Sequence, residues 1–74
     1  MGLESDIEKK VKGIISKIKL LRNKKEYSQE YVGDRLGIGQ VAYHKLENGK
    51  TSLKIDVLLK LAVILEVETS FILK

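Results

Sequence analysis

Two short helical segments separated by only three residues constrain this chain more than any other feature. The segments are "SQEYVGDRL", residues 28–36, and "QVAYHKLEN", residues 40–48, with "GIG" at residues 37–39 between them. Gly37 can adopt the positive φ that ends a helix and reverses the chain. We therefore expect two helices that cross at close range, with Ser28 as the N-cap of the first of them.

The residues around this turn should fix the angle between the two helices. Ile38 is expected to fold back onto the core. Gly33 is expected to lie where the helices cross, because a side chain longer than that of alanine would hold them apart. The inward-facing apolar residues are expected to be Val32, Leu36, Tyr43 and Leu46. Two short helices joined by a tight turn inside a helical bundle are typical of a helix-turn-helix.

The rest of the chain is also predicted to be helical. Residues 5–25 should form one long helix that starts with a capping box, with Ser5 as N-cap and Glu8 three residues later. Its apolar stripe consists of Ile7, Val11, Ile14, Ile18 and Leu21. Residues 55–65 form the most apolar helix, and residues 69–73 a last short one. The predicted fold class is all-α, a compact five-helix bundle.

Length and composition exclude several classes of protein. A chain of 74 residues makes one domain, and with no cysteine it has neither a disulfide nor a thiolate zinc site. A single histidine argues against a metal site, so no metal and no cofactor are expected. No run is apolar enough for a signal peptide or a membrane span, and we expect a soluble cytoplasmic protein without membrane contact.

Positive charge is concentrated in the first third of the chain. Residues 1–25 hold eight lysines and arginines against three acidic residues, whereas residues 26–74 hold six against seven. Such a field suits a polyanion such as nucleic acid. The alternative is a lysine-rich helix face that is only solvated, and charge alone favours this alternative.

Residues 20–50, "LLRNKKEYSQEYVGDRLGIGQVAYHKLENGK", resemble the phage-repressor (Cro/repressor, Xre-type) helix-turn-helix family. "SQ" opens the second helix, "LGI" makes the turn, "LENGK" ends the third helix, and "LLKLAVILEV" is similar to the family's fourth helix. The resemblance implies a lambda-repressor-like DNA-binding domain over residues 14–74, with residues 1–13 as an N-terminal extension of the first helix. The sequence departs from the family's usual residues at Gly33, Gly39 and Tyr43.

In that family the third helix enters the major groove, where each base pair presents a distinct pattern of donors and acceptors. The outward face here would hold Gln40, Val41, Ala42, His44 and Lys45. Glutamine suits adenine, the short apolar pair suits a thymine methyl group, and lysine suits guanine or a phosphate. His44 would contact a base or a phosphate, or simply face solvent. The alternative for the whole set is an ordinary exposed surface.

Contacts to DNA phosphates are expected on both sides of the third helix. The candidates are Gln29, Asn48, Lys50 and Arg35, and the resemblance supports Gln29 in particular, at the positive end of the second helix. Arg22 and Glu47 are expected to form a partly buried ion pair that joins the first and third helices, since similar domains carry this pair. With Gly33 and Gly37, they make up the expected structural set.

Family members usually act as dimers that read two half-sites. Phe71 and Leu73 are the candidates for a homodimer contact, Ile72 is assigned to the core, and the extended first helix is a second possible surface. We expect a DNA-binding transcriptional regulator, a repressor or controller protein, with double-stranded DNA as partner and no small-molecule ligand. The alternative is a protein-interaction module that keeps the fold. An enzyme is disfavoured, because no nucleophile–base pair or phosphate loop is present.

Overall fold

The structure, a computed structural model, describes residues 2–74, and these residues form five α-helices without a β-strand. The helices are α1 (Leu3–Lys24), α2 (Gln29–Leu36), α3 (Gly39–Glu47), α4 (Ile55–Leu65) and α5 (Thr69–Leu73). The predicted all-α fold class and helix order are confirmed. Within residues 2–74, no helix combines the length and the apolarity that a transmembrane span requires.

The start of α1 differs from the prediction. The helix begins at Leu3 with Gly2 as its N-cap, so Ser5 lies inside the first turn and makes no capping hydrogen bond. The capping box from Ser5 to Glu8 was therefore wrong. Two acidic residues of the first turn, Glu4 and Asp6, lie at the positive end of the helix dipole, where negative charge stabilises a helix without a side-chain cap.

Only part of the predicted apolar stripe of α1 packs against the core. Ile18 is fully buried, and Ile15, which was not assigned to the stripe, is buried beside it. Ile7 is 49% exposed and Val11 is 38% exposed, so the apolar stripe continues beyond the part of α1 that the core covers. At about 1.5 Å per residue, the 22 residues of α1 reach about 33 Å, and its first turns extend past the helices that cover the second half.

The core lies between the second half of α1 and the other four helices. Val32, Leu36, Tyr43, Leu46 and Ile72 are buried, as predicted. The complete core cluster comprises Ile18, Val32, Leu36, Tyr43, Leu46, Leu58, Leu61, Ala62, Ile64, Leu65 and Ile72. Five of these residues come from α4, which the sequence analysis identified as the most apolar helix.

Gly37 ends α2 in the left-handed conformation, with φ of 79°. Its N–H donates to the carbonyl of Asp34, and the N–H of Ile38 donates to the carbonyl of Gly33, which satisfies the last turn of the helix. Ser28 caps the start of α2, because its hydroxyl accepts from the N–H of Tyr31. Both predictions at the ends of α2 are confirmed.

The angle between α2 and α3 is set by close backbone contact instead of by Ile38. That side chain is 39% exposed, so the expectation that it folds onto the core was wrong. Gly33 is buried, and a Cβ placed on it would lie 2.3 Å from the carbonyl oxygen of Gly39. Even alanine is therefore too large at residue 33. The helix α3 begins at Gly39, one position earlier than predicted.

Candidate nucleic-acid interface

One edge of α3 carries only exposed side chains. Gln40, Val41, Ala42, His44 and Lys45 are all exposed, and we refer to these five residues as the α3 edge. Tyr43 and Leu46 point the other way and are buried at 0% and 5% exposure. The 3.6-residue period of the helix separates the two groups. The α3 edge is therefore open to a partner, as the sequence predicted.

A buried ion pair joins α3 to α1. The Nε of Arg22 donates to the Oε2 of Glu47 at 2.6 Å, and its Nη2 donates to Oε1 at 3.1 Å. The remaining terminal nitrogen of Arg22 donates to the carbonyl of Tyr27 at 2.8 Å. The two charged side chains are 9% and 1% exposed. This paired, bidentate geometry is the one in which a guanidinium binds a carboxylate most firmly.

Two further donors complete the surroundings of Glu47. The hydroxyl of Tyr43 donates to Oε2, and the side-chain amide of Gln29 donates to Oε1 at 3.0 Å. Burial alone would raise the pKa of the Glu47 carboxyl, but hydrogen bonds from Arg22, Tyr43 and Gln29 outweigh it and hold that pKa below its ordinary value. Among the residues described, no buried side-chain nitrogen or oxygen lacks a hydrogen-bond partner.

The buried pair is connected to the surface through three polar side chains. The Oε1 of Gln29 lies 3.1 Å from the Nδ1 of His44, and the Nε2 of His44 lies 2.8 Å from the Nδ2 of Asn48. His44 and Asn48 are exposed, and Gln29 is half-buried at the start of α2. The structure therefore brings together three of the predicted contact residues, and it links them to Glu47.

The other predicted phosphate contacts lie apart from this network. Lys50 is exposed just after the end of α3, and its backbone N–H donates to the carbonyl of Lys45. Arg35 is exposed on α2, where its Nη1 donates to the hydroxyl of Tyr31 at 2.9 Å. Both cations remain available to a polyanion.

The predicted dimer residues lie on α5. Phe71 is 46% exposed and Leu73 is 50% exposed, whereas Ile72 between them is buried. The ammonium of Lys17 donates to the carbonyl of Phe71 at 3.2 Å and lies 5.0 Å from the centre of its ring. This contact holds the exposed aromatic ring against α1.

Sequence reasoning placed Gln29, His44 and Asn48 at the DNA-facing surface but missed the contacts among them. The pairs Tyr43–Glu47 and His44–Asn48 are four residues apart on one helix, and that spacing could have revealed them. The contact of Gln29 with Glu47 joins residues 18 positions apart, and no local pattern indicates it. In the described part of the chain, no three side chains of the metal-binding types are grouped so as to hold a metal ion.

The amino-acid sequence of this chain matches a known protein family. The profile of the helix-turn-helix family matches residues 18–72. The chain belongs to the Xre/Cro-type helix-turn-helix family, whose members are DNA-binding transcriptional regulators.

The chain is also similar to the SPbeta prophage-derived uncharacterized HTH-type transcriptional regulator YonR of Bacillus subtilis (strain 168). The two are 43% identical over 58 residues, which is 78% of this chain and 54% of the relative. The chain thus spans about half the length of that relative. No solved structure matches the chain at a significant level.

Proposed function

We propose that this chain binds a specific DNA sequence as a homodimer, reads the major groove with the α3 edge, and represses or controls transcription. The observation that carries this proposal is the exposed α3 edge, on a helix that a buried ion pair joins to α1. Family membership supports DNA as the partner. The name of the bacterial relative supports a role in transcription.

Each residue at the start of the α3 edge has a chemical match in the groove. Gln40 can donate to and accept from the N6 and N7 atoms of adenine in one bidentate contact. Val41, at 71% exposure, and Ala42 offer short apolar surface to a thymine methyl group. Lys45 donates to guanine or to a phosphate. Because Gly39, Val41 and Ala42 are small, the backbone at the start of α3 can approach the bases closely.

Phosphate contacts position the domain on the duplex and carry most of the salt dependence. We assign them to Gln29, Asn48, Lys50 and Arg35, with the lysines of α1 adding long-range attraction. If lysines and arginines neutralise about four phosphates per subunit, the logarithm of the binding constant should fall against the logarithm of salt concentration with a slope of roughly −3.6 for one subunit and about −7 for the dimer.

We assign residues 14–74 to the DNA-binding domain and residues 1–13 to an extension of α1. One such domain reads a short half-site, and two copies about one helical turn apart read a palindrome. Phe71 and Leu73 supply the exposed apolar surface for the contact between copies. A bound dimer that covers a promoter would exclude the transcription machinery by steric overlap, and this is the mode of repression that we propose.

Selection of bound sequences from a random DNA pool tests the proposal most completely. We expect one enriched sequence with two half-sites related by a two-fold axis. Gln40→Ala should lower the affinity for that sequence by about tenfold per half-site, because one bidentate base contact contributes roughly 1–3 kcal/mol. Lys60→Ala, an exposed change on α4, is the matched control and should bind like the wild type.

Two results would contradict the proposal. If the chain does not retard any duplex even at low salt, DNA binding is wrong and the protein-interaction alternative is favoured. If the chain sediments as a monomer on a duplex that carries both half-sites, the dimer assignment is wrong. The double variant with Phe71→Ser and Leu73→Ser should sediment as a monomer on this duplex, whereas the wild type should sediment as a dimer.

A further inference from the structure

We propose that His44 is a positioning residue, held as its neutral Nδ1–H tautomer, which aims the amide N–H groups of Gln29 and Asn48 at the DNA backbone. This inference rests on the proposed function for its DNA target. It differs from the sequence-based expectation for His44, because both ring nitrogens have partners within the chain. Direct base contact then falls to the other members of the α3 edge.

The first step follows from the buried ion pair. An ionised carboxylate only accepts hydrogen bonds, and the pairing with Arg22 keeps Glu47 ionised. The amide of Gln29 that lies 3.0 Å from Glu47 must therefore present its NH₂ group to the carboxylate. The carbonyl oxygen of the same amide then points in the other direction, towards His44.

The second step fixes the histidine. The Oε1 of Gln29 is an acceptor and lies 3.1 Å from the Nδ1 of His44, so Nδ1 must carry the proton. In a neutral ring the Nε2 then has only a lone pair and accepts a hydrogen bond. The nitrogen of the Asn48 side chain lies 2.8 Å from that Nε2 and donates to it. The choice of donor and acceptor in each hydrogen bond therefore determines the donor and acceptor in the next one.

The result is a set of donors with fixed directions. After these bonds, the NH₂ groups of Gln29 and Asn48 each keep one N–H for another acceptor. Phosphate oxygens are acceptors, and they bind an oriented N–H well. Gln29 is the first residue of α2 and Asn48 follows α3, and both donors lie near the C-terminal end of α3. His44 lies between them and contacts both.

The tautomer can be measured directly. Long-range ¹⁵N–¹H correlation spectra of the free chain at about pH 8, where histidine is ordinarily neutral, distinguish the two forms, and the chain has a single histidine to assign. We expect the Nδ1–H form. Observation of the Nε2–H form would overturn the proposal. This experiment uses no DNA, so its result is independent of the proposed function.

Substitutions then test the effect on DNA. His44→Ala removes both contacts and should weaken binding by about fivefold, the loss expected for one ordinary hydrogen bond of about 1 kcal/mol. His44→Asn keeps an N–H near the position of Nδ1 and should recover part of that affinity. His44→Gln places its amide near the position of Nε2 and should recover less. Equal affinity for His44→Ala and the wild type would overturn the positioning role.

The choice of duplex separates positioning from base contact. Phosphate contacts carry no sequence information, so His44→Ala should weaken binding to the selected duplex and to an unrelated duplex by the same factor. A loss confined to the selected duplex would mean that His44 touches a base, and would overturn the proposal. Gln40→Ala is the matched control and should lose affinity mainly on the selected duplex. If the wild type binds no duplex, the proposed function is wrong. The part of this inference that concerns DNA contacts is then wrong as well.

Discussion

Arg22 and Lys25 lie three residues apart at the end of α1, and each pairs with a glutamate from another helix. Arg22 binds Glu47 of α3 through two hydrogen bonds, and both side chains are almost completely buried. Lys25 contacts Glu66, the residue that ends α4, and those side chains are 30% and 71% exposed. The two pairs have the same charges but very different surroundings.

This difference in burial indicates that the position of α3 depends on the pair of Arg22 with Glu47. Water and salt screen the pair of Lys25 with Glu66, and either side chain can be solvated when its partner is lost. Loss of one partner in the buried pair leaves a charge without water or a counter-ion, which is costly. The buried carboxylate also accepts from Tyr43 and Gln29, so it connects the core to the surface that we propose faces DNA.

The largest predicted effect is on the buried pair. Arg22→Ala and Glu47→Ala should each lower the free energy of unfolding by about 3–5 kcal/mol, because each leaves an unpaired buried charge. The double variant should lose much less than the sum of the two, because no lone charge remains. Urea unfolding of the four proteins in this cycle measures the coupling.

The exposed pair supplies the control for that cycle. Lys25→Ala, Glu66→Ala and their combination should change the urea midpoint little, and the changes should be additive. Additive effects at Arg22 and Glu47 would contradict the account, and so would strong coupling between Lys25 and Glu66.

Two glycines inside helices offer a second contrast of the same kind. Gly33→Ala should destabilise the fold by about 1–3 kcal/mol, because its Cβ would meet the backbone of Gly39 and push α2 from α3. Gly13→Ala has open space around the new methyl group and should stabilise α1 by roughly 0.5–1 kcal/mol. Thermal unfolding of both variants provides the test, and a stabilising Gly33→Ala would contradict the close crossing.

The smallest predicted effect is on the acid dependence of stability. The pKa of Glu47 is lower in the folded chain than its ordinary value of 4.5, so the unfolded chain binds more protons near that pH. The stabilisation is present above pH 4.5 and is lost as the pH falls through the lowered value. Glu47→Gln should remove much of this acid sensitivity, as measured by urea unfolding at several pH values.

Glu66→Gln is the matched variant for the pH experiment. The hydrogen bond from Lys25 also lowers the pKa of Glu66, but this carboxyl is exposed to solvent and salt. Glu66→Gln should therefore leave the acid dependence almost unchanged. If Glu66→Gln changed the acid dependence of stability more than Glu47→Gln, the order predicted from burial would be wrong.

Local sequence signals predicted most of the fold. Ser28 and Gly37 have the chemistry of a helix start and a helix end, and the apolar period of α2 and α3 identified Val32 and Leu46 as core. The pairing of Arg22 with Glu47 came from resemblance to known domains. The helix ends and the core residues of α2 and α3, unlike that pairing, depend on residues whose conformational preference or spacing is visible in the chain itself.

The features that were missed depend on the arrangement of whole helices. Ile7 and Val11 fit the apolar period of α1, but the period does not reveal where the covering helices end. Ile38 was expected to fold onto the core and so fix the helix angle, whereas the contact of Gly33 with Gly39 already fixes that angle. The bond from Gln29 to Glu47 requires the actual distance between α2 and α3.

The most direct test of the central claim is to map the DNA contact on the chain by NMR, with backbone amide signals followed as a selected duplex is added. We predict that the largest shifts occur at the α3 edge and at Gln29. The exposed residues Ile55, Leu59 and Val63 of α4 should change little and serve as the internal reference. Shifts confined to α4, with the signals of Gln40 to Lys45 unchanged, would contradict the account.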